Sequence, residues 1–318
     1  MRSIGIAGGV PLYAKDDSFL SYFNSPYIGH KRSSSIDVYP SHQSWNGPAF
    51  SPVDGRVLRV KKLRMGMKKV FPTSDSDYAI AITPEEDDEV VVRVLHCTPS
   101  LSEGDLVSKG DVIGELLRSR YFCFWTRPHY HLDVMDSKHF LRSSQSFPLN
   151  LELKPAQVIS GDDTNQFECE VISCTKSVIV VVAKRQAFVK AGDWYGHLAI
   201  LGDNGNIGLI DAGIPHYEQG GIVGSSLVQT GATIRVWNTE VGRVTDSREG
   251  MAVFSTDLSF RVFLGQYRMR GISHHLYSKH QLANNSPPII LIPLSYGQYE
   301  GKLSEGDRFV LSTSLQRI

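Results

Sequence analysis

Histidines and acids in the first half of the chain are candidates for metal binding and proton transfer. The tightest group is Pro128-His-Tyr-His-Leu-Asp-Val134, which follows an aromatic segment. Successive side chains of a β-strand point to opposite faces, so a strand here would place His129, His131 and Asp133 on one face. Two imidazoles on one rigid face can act as a metal ligand beside a proton-transfer group, and Asp133 can orient an imidazole from behind.

Three further residues can join this group. His30 precedes Asp37, which lies where Ile36–Tyr39 begins a predicted strand, and His96 ends the apolar strand Val90–Leu95. A catalytic zinc ion typically takes three ligands from His, Asp and Glu and keeps one position open for water. His30, Asp37 and one histidine of the pair would supply that set. The remaining two histidines would then be available for proton transfer near neutral pH.

Short β-strands are the predicted secondary structure around these residues. β-Branched and aromatic runs recur between turns rich in Gly, Pro, Asp and Ser, and helical periodicity is scarce. The clearest predicted strands are Gly55–Val60, Tyr78–Ile82, Glu89–Leu95, Val178–Val182 and Pro288–Ile292. Many short strands with dense turn signals predict an all-β protein built of barrels or sandwiches.

Length and composition narrow the class of protein. A chain of 318 residues favours two domains, and turn-rich stretches at 143–148 and 160–165 predict one domain over 1–148 and a second, β-rich domain of open role over 149–318. Equal numbers of basic and acidic residues, 33 each, argue against a nucleic-acid-binding or polybasic membrane-surface protein. No apolar stretch approaches the ~20 residues of a membrane span. The N-terminus is a poor secretion signal, which predicts a cytoplasmic protein.

In the order of its motifs, the segment 28–136 resembles the lysostaphin/LytM-type zinc metallopeptidase domain. The matching pieces are His30…Asp37, Phe50-Ser-Pro-Val-Asp-Gly-Arg-Val57, Val92-Arg-Val-Leu-His96, Gly104-Asp-Leu-Val-Ser-Lys-Gly-Asp-Val-Ile-Gly114 and the His-x-His segment. Five motifs in the right order are far more specific than any one of them. The resemblance implies a lysostaphin-like, barrel-sandwich-hybrid type of antiparallel domain, with zinc at the floor of a groove.

Residue roles follow from this resemblance position by position. It implies that His30, Asp37 and His131 bind the zinc ion. It also implies that His129 and His96 polarise the attacking water and stabilise the tetrahedral intermediate. The expected activity is endopeptidase-type amide hydrolysis by a metal-activated water, without a covalent intermediate. The expected partner is a peptide or a peptidoglycan-like substrate.

Two features depart from the family pattern. Six residues separate His30 from Asp37, where the family normally has three, and a bulge at Ser33–Ser35 would restore the spacing. The segment Tyr121-Phe-Cys-Phe-Trp-Thr-Arg127 replaces a Gly-rich approach to the last motif and would narrow or fill part of the groove. A second interpretation therefore stays open, in which the domain keeps its metal site for structure and serves as a binding or scaffold module.

Two other families share part of the pattern. Pro52-Val-Asp-Gly-Arg-Val57 with Gly104–Gly110 also resembles biotinyl and lipoyl carriers, although the nearest candidate lysines, in 65–69, come in the wrong order. The phrase at 51–56 looks like phosphatidylserine decarboxylases, with Leu311–Ser314 as a weak self-cleavage site. Neither family accounts for the histidines. In the second half of the chain, His274, His275 and His280 form a pattern more typical of a solvated loop than of a metal site.

Overall fold

The computed structural model describes residues 1–85, 89–151 and 153–316. Its secondary structure is almost entirely antiparallel β, which confirms the predicted fold class. Two compact units are present: Met1–Tyr22 with Tyr27–Leu151, and Phe23–Pro26 with Glu152–Ile318. Within the described ranges, no helix has both the length and the apolar character needed to cross a membrane.

The first unit consists of short strands and a single-turn helix, α1 (Ile28–Lys31), with 3-10 turns at Ser137–His139 and Ser143–Gln145. Its strands are β1 (Arg2–Ala7), β2 (Val10–Ala14), β3 (Phe19–Ser21), β4 (Ser35–Tyr39), β5 (Pro48–Phe50), β6 (Gly55–Arg64), β7 (Ser76–Pro84), β8 (Val90–Leu95), β9 (Cys97–Pro99), β10 (Leu106–Val107), β11 (Val112–Leu116), β12 (Tyr130–Asp136) and β13 (Leu149–Asn150). The strands predicted near 55–60, 78–82 and 89–95 are therefore present as β6, β7 and β8.

A 7-stranded antiparallel sheet, in the order β10-β6-β7-β8-β12-β4-β3, forms the centre of this unit. Strand β12 lies between β8 and β4, and its residues His131, Leu132 and Asp133 have a partner on both sides. His131 is paired with Leu95 of β8 and with Asp37 of β4. Directly paired side chains on one face lie about 4.5–5.5 Å apart at Cβ, so this register alone brings Asp37 to His131.

The alternation of β12 buries both of its faces. Tyr130, Leu132 and Val134 are fully buried on the face opposite His131. On the face of His131 the sheet continues into an apolar cluster made of Ala79, Ala81, Val91, Met135 and Phe140. Burial of each large apolar side chain contributes about 1.5–3 kcal/mol to folding. Buried apolar side chains on both faces of the sheet therefore hold β12 and its polar residues in place.

The second unit contains the remaining strands and a 3-10 turn at Lys279–Gln281. Its strands are β14 (Gln157–Ser160), β15 (Gln166–Cys174), β16 (Ile179–Ala183), β17 (Phe188–Ala191), β18 (Trp194–Leu201), β19 (Asn206–Ile214), β20 (Gln219–Val223), β21 (Thr233–Val236), β22 (Thr239–Arg248), β23 (Met251–Thr256), β24 (Phe260–Leu264), β25 (Tyr267–Met269), β26 (Gly271–His274), β27 (Ile289–Ile292) and β28 (Arg308–Leu315). A pairing between β18 and β19 closes β18-β21-β22-β23-β20-β19 into a ring of six strands.

The histidines of this second unit differ from the expected solvated loop. His280 is exposed, but His274 and His275 are 1% and 3% exposed. The reason is that His274 lies on β26, where it pairs with Ala212 of β19. The Nδ1 atoms of His274 and His197 are 2.9 Å apart. Burial lowers the pKa of His197 to about 4, so this pair is neutral at pH 7.

Candidate metal centre

Three potential metal ligands converge on one face of the central sheet. The Asp37 Oδ1 atom is 2.7 Å from His131 Nδ1 and 3.2 Å from His30 Nε2. The two histidine nitrogens are themselves 3.2 Å apart. Zinc bonds to nitrogen and oxygen of about 2.0–2.2 Å in tetrahedral geometry place neighbouring ligand atoms about 3.3 Å apart. The three atoms therefore have nearly the spacing of one face of a zinc coordination tetrahedron.

His30 reaches this position from α1. The helix ends in a turn in which Ser34 N donates to the Gly29 carbonyl and Ser33 has a φ of 53°. The extra residues between His30 and Asp37 thus form the end of a helix, and Ser35 already belongs to β4. A Cβ atom at Gly29 would lie 1.8 Å from Ser35 Oγ, so glycine is needed for the helix to approach the strand this closely.

The second nitrogen of each of these two histidines contacts an oxygen that only accepts. His30 Nδ1 donates to the Tyr22 carbonyl at 2.9 Å, and His131 Nε2 donates to Asp133 Oδ2 at 3.1 Å. These acceptors can hold the outer N–H of each ring, so the inner nitrogen is the one that would bind a metal ion. The two inner nitrogens and a carboxylate oxygen then face one another. Such a set is satisfied by a cation.

Asp133 connects the candidate metal ligands to a buried polar network. Its carboxylate forms a salt bridge with Arg93, which is 3% exposed, and accepts hydrogen bonds from Ser35 and Ser146. Burial by itself raises the pKa of Asp133, but His131 and Arg93 outweigh it and hold that pKa well below its usual value. Asp133 is therefore ionised at neutral pH and fixes the orientation of the His131 ring.

The electrostatics of the cluster favour positive charge. Burial lowers the pKa of His131, but the carboxylates of Asp133 and Asp37 outweigh it and raise the pKa to about 9. Burial raises the pKa of Asp37, but the neighbouring histidines outweigh this effect and hold the pKa of Asp37 well below its usual value. A bound cation and a proton on His131 would satisfy the same carboxylates, so metal binding displaces that proton.

The two remaining histidines flank the cluster. The His129 and His96 ring centroids are 5.5 Å apart, and His129 Nε2 is 3.6 Å from Asp37 Oδ1. His129 Nδ1 donates to the Arg127 carbonyl at 2.8 Å, which leaves a lone pair on Nε2. Burial lowers the pKa of His129 to about 4. This imidazole is therefore neutral at pH 7 and can accept a proton or a hydrogen bond.

His96 is oriented by an aspartate that the sequence patterns did not indicate. Asp77 Oδ2 accepts from His96 Nδ1 at 2.7 Å and from Ser119 Oγ at 2.7 Å. Asp77 is 2% exposed and comes from β7, 19 residues before His96. Asp77 lies outside the quoted motifs, and Arg93 lies within Val92–His96 without being a predicted site residue. The only signal for them is the pairing of β7 with β8 and of β8 with β12, which is visible in the structure.

The aromatic segment at 121–127 packs against the two flanking histidines. The Phe122 ring centroid is 4.5 Å from that of His96 and 5.1 Å from that of His129, and Phe122 is 3% exposed. Tyr121 stacks on Tyr27 with centroids 4.2 Å apart. The segment thus fills the space beside these histidines, as the sequence predicts.

The chain is similar to one family model and to solved structures of lysostaphin. The range 12–151, less than half of the chain, matches a family model described as "Domain of unknown function (DUF8155) N-terminal domain". No curated protein matches the sequence. An NMR solution structure of lysostaphin is similar at 14% identity and a TM-score of 0.26, over 76% of this chain and 95% of lysostaphin. A structure of the antimicrobial peptidase lysostaphin from Staphylococcus simulans has the same identity and TM-score, over 77% of this chain and 98% of that one.

Proposed function

We propose that the first unit is a zinc-dependent peptidase domain in which His30, Asp37 and His131 bind the metal. The observation that carries the proposal is the convergence of two histidine ring nitrogens and a carboxylate oxygen, each about 3 Å from the next. This donor set and its spacing fit zinc. The neutral His129 and the Asp77-bound His96 beside it supply the proton-transfer groups that hydrolysis needs.

The expected chemistry is hydrolysis of an amide bond in a peptide or peptidoglycan-like substrate. Zinc bound by these residues would supply an acidified water and polarise the scissile carbonyl. His129 Nε2 carries the lone pair that accepts the proton of the attacking water. Because Asp77 fixes the Nδ1 proton of His96, Nε2 is the nitrogen of that ring that exchanges a proton with the substrate, including its leaving amine.

The first experiment measures metal content by elemental mass spectrometry of the untagged protein after reconstitution with zinc. We expect about one zinc ion per chain in the wild type, because three protein ligands form one site. His131→Ala should lose it, whereas His42→Ala, which removes an exposed histidine of the same unit, should retain it. A wild type that binds no zinc, or a His131→Ala variant that binds it equally, would overturn the proposal.

The second experiment separates catalysis from metal binding. The zinc-loaded protein is assayed against a quenched fluorescent peptide library and purified peptidoglycan. His129→Ala and His96→Ala should keep zinc and lose about 10²–10⁴-fold in hydrolysis, the usual contribution of a proton-transfer group. Zinc retention without hydrolysis of any substrate by the wild type would instead support the alternative of a structural metal site in a binding module.

A further inference from the structure

One segment of this chain carries a large excess of positive charge, although the chain as a whole has a formal net charge of zero. Residues 55–74 contain no Asp or Glu but seven cationic side chains. We call residues 56–70 the basic hairpin segment; its cations are Arg56, Arg59, Lys61, Lys62, Arg64, Lys68 and Lys69. Most of the segment is the strand β6, and the rest is the start of the loop that joins β6 to β7. The formal net charge of zero thus conceals a strong local excess of positive charge.

Six of the seven cations of this segment are exposed, and Lys69 is partly exposed. Within the described parts of the chain, none of the seven cations forms a salt bridge. Strand β6 pairs with β10 at Gly55 and Arg56, and Val57 still exchanges backbone hydrogen bonds with Gly104 and Asp105, so the free edge of the strand begins after Val57. Glu103 reaches that edge, where its carboxylate accepts from Val60 N at 3.0 Å.

The loop tip is apolar as well as basic. Met67 is 88% exposed and Val70 is 91% exposed, the two highest values among the exposed large apolar side chains of the described chain. Lys68 and Lys69 lie between them. Lysines on a free edge can be explained as protection against edge-to-edge association. That explanation does not cover two apolar side chains projecting from a loop, where burial against the protein would have been favourable.

We propose that the basic hairpin segment binds the surface of an anionic phospholipid membrane. Lysine and arginine side chains near such a surface are attracted to its acidic headgroups. Met67 and Val70 would enter the interface between headgroups and acyl chains, which gains free energy from burial of apolar surface. Binding of single-stranded nucleic acid fits less well, because such sites use exposed aromatic rings for stacking. The one aromatic residue of 55–74, Phe71, is 7% exposed.

The test is co-sedimentation of the full chain with vesicles of phosphatidylcholine alone or mixed equally with phosphatidylglycerol. We expect binding only to the phosphatidylglycerol vesicles, weakening as salt is added. Lys68→Ala with Lys69→Ala should lower the partition constant about thirtyfold, since each cation near the surface is worth about fivefold. Met67→Ser with Val70→Ser should also weaken it. Lys138→Ala with Lys302→Ala, which removes two exposed lysines elsewhere, should have no effect.

Three results would overturn the proposal. The first is absence of binding to anionic vesicles. The second is equal binding to both vesicle types, or binding that the hairpin variants leave unchanged. The third is binding of a short single-stranded DNA, weakened by the lysine variants, without vesicle binding. All substituted side chains are at the surface, so circular dichroism and the thermal midpoint should stay those of the wild type. None of these outcomes depends on the proposed zinc site.

Discussion

Asp77 binds His96 at two points: its Oδ2 atom accepts from the ring Nδ1 at 2.7 Å, and its Oδ1 atom accepts from the backbone N–H at 3.1 Å. His96 has a φ of 72°, a left-handed conformation that is uncommon outside glycine. Such strain persists where surrounding contacts fix the residue, and it recurs at functional sites. One aspartate therefore fixes both the backbone and the ring of this histidine.

Asp77→Asn should disturb the tautomer of His96. An amide offers one acceptor where the carboxylate offers two, so either the ring or the backbone loses its partner. We expect a change in the His96 ring ¹⁵N shifts toward the Nε2–H tautomer and a fall in hydrolysis of about a hundredfold or more. Zinc content should not change. Ser119→Ala, which removes another donor to Oδ2, should leave the tautomer intact; an identical effect of both substitutions would contradict this role.

Asp133→Asn should weaken both metal binding and folding. Loss of the outer partner of a ligand histidine typically lowers metal affinity about 10–100-fold. Arg93 would also keep its buried charge without its partner, which costs about 3–5 kcal/mol. Zinc competition with a fluorescent chelator and urea unfolding measure the two effects. Asp136→Asn, on the same strand but half-buried, is the control, and equal behaviour of the two variants would exclude the proposed role of Asp133.

Gly29→Ala should destabilise the approach of α1 to β4. The added Cβ would meet Ser35 Oγ at 1.8 Å, so the helix or the strand must move. Overpacking of this kind costs about 1–3 kcal/mol. Ser35→Ala removes the oxygen in question, so the double variant should lose less free energy of unfolding than the sum of the two single variants. Strict additivity in urea unfolding would show that the two residues do not meet.

Phe122→Ala should uncover the flanking histidines. Removal of this buried ring is expected to lower the free energy of unfolding by about 3–5 kcal/mol. Zinc should remain bound, because Phe122 contacts His96 and His129 rather than the three predicted ligands. Modification by diethylpyrocarbonate, located by mass spectrometry, should become faster at both flanking histidines. Unchanged modification rates would mean that another group controls access to them.

The second unit should lose stability in acid. Burial holds the pKa of His197 at about 4, below its unfolded value of about 6.5. Its contribution to stability is therefore complete above pH 6.5 and is lost as the pH falls toward 4. At pH 5 the loss is about 2 kcal/mol. Urea unfolding at pH 7 and pH 5 should show a smaller difference for His197→Gln than for the wild type, whereas His280→Gln, at an exposed position, should match the wild type.

Much of the local structure could be predicted from the sequence. The alternation of residues 129–134 is that of a strand, and its period of two places His131 and Asp133 on one face of β12, with a 3.1 Å contact between them. Strands β6, β7, β8, β16 and β27 fall at the predicted runs of β-branched residues. These features depend on neighbours two to five positions away, which a sequence displays directly. The roles assigned to the predicted site residues, and the boundary at 148, stay predictions.

Tertiary structure decided the rest. The long spacing between His30 and Asp37 is accommodated by the turn at the end of α1. It also needs glycine at position 29, and only the close packing of α1 on β4 shows why. Asp77 and Arg93 lie beside the predicted site residues because of the registers in which β7, β8 and β12 pair. Strand register is set by long-range pairing that no local motif encodes. The burial of His274 follows from its place within a sheet. Sequence periodicity therefore determined which face each residue occupies, and sheet pairing determined which residues share that face.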